Sequence, residues 1–173
     1  MTLKTKNINL RAPELEDVNL LYNWENDSNY WLINDQQTPI SKQALIDFVQ
    51  NNTDIYTQKQ LRLMLCLNNQ NKVIGCIDLF AIDFKNEKCG VGIFIDTDYR
   101  GNGYANEALQ TIISYTFEVL HLKQIYAHVP INNLKSISLF SKNNFICNGV
   151  LKSWIKDQNN LFIDVCFLQL IKY

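Results

Sequence analysis

Val91-Gly92-Ile93-Phe94-Ile95-Asp96-Thr97-Asp98-Tyr99-Arg100-Gly101-Asn102-Gly103-Tyr104-Ala105 runs from branched and aromatic residues into a turn punctuated by two glycines. Beyond it, Ala108, Leu109, Ile112, Ile113, Thr116, Phe117 and Leu120 lie on one helical stripe, so the period changes from strand to long helix across the turn. Glycines let successive N–H groups turn toward one point, and a helix N-terminus adds roughly half a positive charge there. A phosphate or pyrophosphate suits such a place, and Arg100 puts a full cation beside it. A Walker loop needs Gly-Lys-Ser/Thr, whereas Gly103 is followed by Tyr104-Ala105. A dinucleotide fingerprint needs a third small residue where Asn106 stands, and opens a parallel unit instead of following a hairpin. An ordinary strand-to-helix turn, with glycine present only for its backbone freedom, is the competing reading.

Outward from this unit the elements fall into order. Ile8 to Arg11 alternates and stops at Pro13; Glu14 to Trp24 repeats at three and four; Ser41 caps an amphipathic stretch from Lys42 to Val49. Gln60 to Leu67 and Lys72 to Ile82 form a hairpin about Asn68-Asn69-Gln70-Asn71. After the glycine turn and its helix come a strand from Gln124 to Val129 and a short helix from Asn133 to Lys142. A closing strand pair, Phe145 to Trp154 and Leu161 to Ile171, ends the chain. The expectation is an α/β (α+β) fold: a mixed, mostly antiparallel twisted sheet with a central parallel β-α-β unit, flanked by about four helices. With 173 residues and no linker or repeat, residues 1–173 read as a single domain.

Sixteen basic residues face seventeen acidic ones with no basic cluster among aromatics, which argues against nucleic acid and anionic membrane as partners. The polar start and the lack of a long apolar run predict a cytoplasmic chain without a membrane span. Cys66, Cys76, Cys89, Cys147 and Cys166 are scattered through apolar segments with no C-x-x-C pair, which reads as reduced core thiols. His121 and His128 lack a ligand three or four residues away, so no metal is expected. Whether the chain forms a homo-oligomer is left open by the sequence.

Arg100 to Ala105 matches the Arg/Gln-x-x-Gly-x-Gly/Ala signature of the GNAT acetyltransferases. The blocks IGCIDLF (74–80), VGIFIDTDYRGNGYANEAL (91–109), AHVPINNLKSISLFSKNNF (127–145) and NGVLKSW (148–154) resemble, in the same order, the RimJ/RimL and spermidine acetyltransferase branch. The resemblance implies acetyl-CoA as co-substrate, its pyrophosphate held by Arg100, Gly101, Asn102, Gly103, Tyr104 and Ala105. It also implies that the backbone of Phe94, Ile95 and Asp96 binds the pantetheine arm and polarises the thioester carbonyl. Asn133, with Ser136 three residues on, matches the coenzyme-contacting asparagine, and Asn133 reads equally as a helix N-cap.

Transfer to an amine needs a base, because an alkylamine of pKa about 10.4 costs roughly 4 to 5 kcal/mol to deprotonate at pH 7, against about 1 kcal/mol for an α-amine. Asp78 is the one charge between Val73 and Ile82. Buried in the strand, its pKa would rise toward the useful range; on an edge strand it would be an ordinary surface carboxylate. Asp164 is a similar isolated charge with a weaker claim. Tyr30, Trp31 and Asp35 are candidate acceptor contacts. Phe140 stands where the resemblance implies a tyrosine able to protonate the departing thiolate, and phenylalanine has no proton to give; Ser138 or Ser141 are the substitutes considered. Asn144 replaces a glycine of the same pattern and tolerates positive φ. The implied acceptor is a primary amine, first a polyamine such as spermidine, with a peptide N-terminal α-amine as the alternative. A non-catalytic coenzyme A-binding module is the third reading.

Overall fold

The computed structural model describes residues 3–27, 38–51, 54–157 and 159–173. Seven strands form one sheet: β1 (Ile8–Arg11), β2 (Leu61–Leu67), β3 (Val73–Asp83), β4 (Lys88–Ile95), β5 (Gln124–Pro130), β6 (Ile146–Lys156) and β7 (Phe162–Ile171). Their order is β1-β2-β3-β4-β5-β7-β6, and every neighbouring pair is antiparallel except β4 and β5, which are parallel. The mixed sheet with one central β-α-β unit is as the sequence predicts.

The described helices are α1 (Val18–Glu25), α2 (Lys42–Asn51), α3 (Ile55–Gln58), α4 (Tyr104–Glu118) and α5 (Leu134–Lys142). This is one more than the reading expected. Helix α3 is a single turn, too short to show a period, and rests on Asp54, whose carboxylate accepts from the Tyr56 and Thr57 N–H groups at 3.1 Å each. Ser41 caps α2 as expected, its Oγ accepting from the Ala44 N–H at 3.1 Å.

Strand alternation divides the core in two. Met64, Cys76 and Phe94 face Val18, Leu21 and Trp24 of α1 and Leu45 and Val49 of α2. Leu63, Ile77, Leu79 and Val91 face the opposite way, onto Ala108, Leu109 and Ile112 of α4 and Phe140 of α5. Full burial of each of these large side chains contributes about 1.5–3 kcal/mol. The α4 stripe read from the sequence is therefore the stripe that packs.

One expectation about the cysteines is corrected. Cys66, Cys76 and Cys89 are free and buried, but Cys147 and Cys166 form a disulfide between β6 and β7. They are 19 residues apart in sequence, and only the antiparallel pairing of these two strands brings their Cα atoms to 6.1 Å.

Candidate active site

The parallel pair is short. β4 pairs with β5 only from Lys88 to Gly90, against Gln124 to Tyr126. Beyond Gly90, β4 stays paired with β3 as far as Ile95, and β5 stays paired with β7 as far as Pro130. The sheet therefore splits. A cavity of about 1050 Å³ occupies the split, lined by Val91 to Phe94 on one side and Ala127 to Pro130 on the other. Because side chains alternate along a strand, this cavity has walls on both faces. Cys76, Asp78 and Phe94 line it on the α1/α2 face; Val91, Val129 and Phe140 line it on the α4/α5 face.

Which backbone groups face the split follows from one bond. The Asp96 N–H donates to the Ile74 carbonyl at 2.9 Å, so in the antiparallel β3–β4 register the amides of residues 92, 94 and 96 point toward β3. Those of Ile93 and Ile95 point toward the split. Of the three residues named from the sequence, Ile95 turns its amide away from β3 but stands beyond the cavity lining, and the amides of Phe94 and Asp96 face β3. The direction of each amide follows from strand parity, which the sequence alone does not phase. Phe94 lines the cavity with its ring, packed against Trp24 at 5.0 Å between centroids. The Asp96 carboxylate accepts from the Trp24 indole N–H at 3.2 Å and from the Asp98 N–H at 3.4 Å, fastening the end of β4 to α1.

The glycine loop sits just past β4 and outside the cavity lining. Gly101 and Gly103 have φ of +82° and +83°, in the left-handed region that favours glycine, and a Cβ at either would meet nothing within 4 Å. Gly103 is the N-cap of α4, and the Tyr104 and Ala105 N–H groups precede the first residues that bond back to the Gly103 carbonyl, Asn106 and Glu107. Open space, two turned glycines and free first-turn donors fit a pyrophosphate. The Arg100 Nε donates to the Ile95 carbonyl at 2.9 Å, and the Asn102 amide donates to the Tyr99 and Arg100 carbonyls, so both side chains brace the turn. A second groove of about 440 Å³ lies beside it, between Asn106 and Gln110 of α4 and Lys135, Ser138 and Lys142 of α5. The Asn143 amide spans the two helices, donating to the Asn106 side-chain oxygen at 2.9 Å.

Asn133 caps α5, its Oδ1 accepting from the Ser136 N–H at 3.1 Å, and both residues line the main cavity. The cap geometry is present, and so is access to the cavity. Phe140 lines it too, 3% exposed and edge-on to Phe145 at 5.0 Å. Neither hydroxyl considered as its substitute does: Ser138 opens to the α4–α5 groove and Ser141 lines neither space. Asn144 holds φ +65° and keeps the turn after α5.

Asp78 lines the cavity from an interior strand, not an edge, but the premise that it stands alone is wrong. Arg62, its cross-strand partner on β2, holds it through two bonds, Nε to Oδ1 at 2.7 Å and Nη2 to Oδ2 at 3.0 Å. A third guanidinium nitrogen, Nη1, bonds Glu25, the last residue of α1, at 2.5 Å, and the guanidinium carbon stands 5.3 Å from the centre of the Phe48 ring. Burial opposes the charge on Arg62, but the two carboxylates outweigh it and hold its pKa well above the ordinary value. Glu25, Arg62 and Phe48 all line the cavity. None was named from the sequence: Arg62 stands six residues before Asn68 and Asp78 seven after Asn71, and the bulge between Leu65 and Cys66 brings them opposite. His128 too lines the cavity, and partial burial lowers its pKa.

Other candidates change role. Asp164 is a structural clamp: it accepts from Lys152 Nζ at 2.7 Å and the Ser153 N–H at 2.8 Å, closing a bulge in β6. Cys76 reaches the cavity, but burial, reinforced by Asp78, pushes its thiol up to about 12, which removes it as a nucleophile. Tyr30, Trp31 and Asp35 lie outside the described residues. Among the described residues no three His, Cys, Asp or Glu side chains are grouped to hold a metal ion, and no helix is long and apolar enough to cross a membrane.

The Acetyltransferase (GNAT) domain family matches residues 7–146. The uncharacterized N-acetyltransferase p20 of Bacillus licheniformis is 31% identical, covering 99% of this chain and 96% of its own. The spermidine N(1)-acetyltransferase of Vibrio cholerae is 26% identical over 83% of this chain and 82% of its own, and the ribosomal-protein-serine acetyltransferase of Escherichia coli is 24% identical over 86% and 84%. The crystal structure of Vibrio cholerae spermidine N-acetyltransferase in complex with CoA and spermine has the same fold, with a TM-score of 0.86, 23% identity and 96% of both chains covered.

Proposed function

The chain belongs to the GNAT acetyltransferases, in their spermidine and RimJ/RimL-like branch, and from that premise we propose that its acceptor is the primary amine of a polyamine such as spermidine. It is an N-acetyltransferase that uses acetyl-CoA. The coenzyme supplies an activated acetyl group whose thioester carbon the amine attacks; the C–N bond forms and the C–S bond breaks.

The protein's part is to bind, orient and move protons. Arg100 to Ala105 hold the pyrophosphate, and the groove bearing Lys135 and Lys142 takes the neighbouring nucleotide phosphate. Asn133 and Ser136 flank the pantetheine arm on the α4/α5 side. The Ile93 and Ile95 amides face the split where charge develops on the carbonyl oxygen, and fixed donors at such a place lower the barrier by about 2.7–4 kcal/mol each. The acceptor reaches the split from the α1/α2 side, and Asp78, directly or through one water, takes the proton the amine must lose. Tyr30, Trp31 and Asp35 are proposed as acceptor contacts on the resemblance alone.

The observation that carries this reading is the placement of Asp78 in a split open to both faces of the sheet, within a carboxylate-rich cluster suited to a cationic amine. A second acceptor class, the α-amine of a protein N-terminus, is favoured by Phe140 and by the Arg62 bonds to Asp78, since a less basic amine needs less help. The chain is further read as one domain working in the cytoplasm.

The test is acetyl-CoA turnover with spermidine, spermine, aminoglycosides and short peptides. Spermidine should be the preferred acceptor, and Asp78→Asn should lower kcat by about a hundredfold or more while acetyl-CoA still binds. Preference for the peptides would replace the polyamine reading, and full activity in Asp78→Asn would remove the base.

A further inference from the structure

Two carboxylates share one guanidinium at the acceptor end of the cavity, and the second carboxylate, Glu25, has no part in the proton transfer proposed above. Arg62 is held between them, with two bonds to Asp78 and one to Glu25. The side chains of Glu25, Arg62 and Asp78 are 10%, 18% and 28% exposed, so the outermost group is Asp78 and the guanidinium lies behind it. Phe48 stands beside the guanidinium.

The charge of this cluster matters more than its bonds. Asp78 and Arg62 together are neutral, so the attraction of the outer carboxylate for a protonated amine is reduced by the guanidinium behind it. With Glu25 included, the three groups carry one net negative charge in a partly desolvated wall, where charges act over longer range than in water. We infer that Glu25 is a specificity-determining residue: by sharing Arg62 with Asp78 it keeps the acceptor end of the cavity negative and selects acceptors that present an ammonium group. Glu25 acts through Arg62 and takes no proton from the substrate. This rests on the cationic-amine reading and adds to it the residue that sets the charge.

The experiment is steady-state kinetics with spermidine varied at saturating acetyl-CoA, for the wild type, Glu25→Gln and Glu25→Asp, alongside thermal melts of all three. Glu25→Gln keeps a hydrogen-bond acceptor for Arg62 and removes the charge. It should raise the spermidine KM by about tenfold, more than it lowers kcat, and leave the acetyl-CoA KM unchanged. Glu25→Asp, which restores the charge, should recover most of the loss. A spermidine KM unmoved in Glu25→Gln overturns the inference. So does an equal rise in both variants that tracks their melting temperatures, because that is the behaviour of a fold contact. If the wild type acetylates no amine, the function reading fails by itself, and calorimetric titration of spermidine into the coenzyme A complex decides this one: binding weakened by Glu25→Gln sustains it, and equal or absent binding overturns it.

Discussion

Phe140 stands where the sequence resemblance implies a tyrosine. Its ring is packed on Phe145 and borders the cavity. Phe140→Tyr should raise kcat by about tenfold where protonation of the leaving thiolate limits turnover, with the acetyl-CoA KM unchanged; a stopped assay at saturating substrates measures it. An unchanged kcat would mean that solvent already serves the thiolate. At this scale the sequence was informative where chemistry is local. Gly101 and Gly103 could be read as positive-φ residues, Asn144 likewise, and Asn133 as a cap, because each depends on its own few neighbours. Asp78 was found for its charge and misread for its company. Arg62 reaches it from another strand and is shared with Glu25 of α1, and Asp164, of the same isolated appearance, fastens a bulge.

Among the elements, the join between β1 and α1 shows how a short turn is held. Arg11 at the end of β1 bonds both oxygens of Asp17, and the Glu14 N–H bonds the same carboxylate in a capping box. Burial alone would raise the Asp17 pKa, but the bonds from Arg11 and Glu14 prevail and hold it below the usual carboxylate value. A depressed folded-state pKa gives stability that is present above the unfolded value of about 3.9 and lost as pH falls through the folded one. Asp17→Asn should therefore cost about 2 kcal/mol at pH 7, and the gap from wild type should close below about pH 4. Thermal melts across pH measure both. Most elements were legible because period and punctuation agree over many residues, as along α4. What escaped had no period to show: the single turn Ile55–Gln58, and the β6 bulge that sets Leu151 opposite Val165 but Ile155 opposite Ile163. The Cys147–Cys166 link escaped for the same reason, since it exists only through the pairing of β6 with β7.

The whole molecule is a sheet whose two halves are joined at the centre by only three residue pairs, Lys88 to Gly90 against Gln124 to Tyr126. A ligand bridging the split adds bonds to both halves at once. At a hundred times its Kd, coenzyme A should stabilise the fold by about 2.7 kcal/mol. Hydrogen exchange should slow at the Ile93 and Ile95 amides and leave the β6 edge unchanged; protection confined to the α4 N-terminus would contradict a coenzyme lying in the split. The hairpin of β2 and β3 has a further consequence. Arg62 faces Asp78 because of the length of the turn between Leu67 and Lys72 together with the bulge between Leu65 and Cys66. In a strand pair a slip of one residue sends every side chain to the other face. Asp78 would then exchange its place with an apolar neighbour, Ile77 or Leu79. Residues 69 to 72 are exposed and carry no reacting group, yet they act as the ruler by which the cavity is measured. Surface turns usually accept an inserted residue; here an insertion that shifted the register would leave a folded sheet and an empty seat where Asp78 should be.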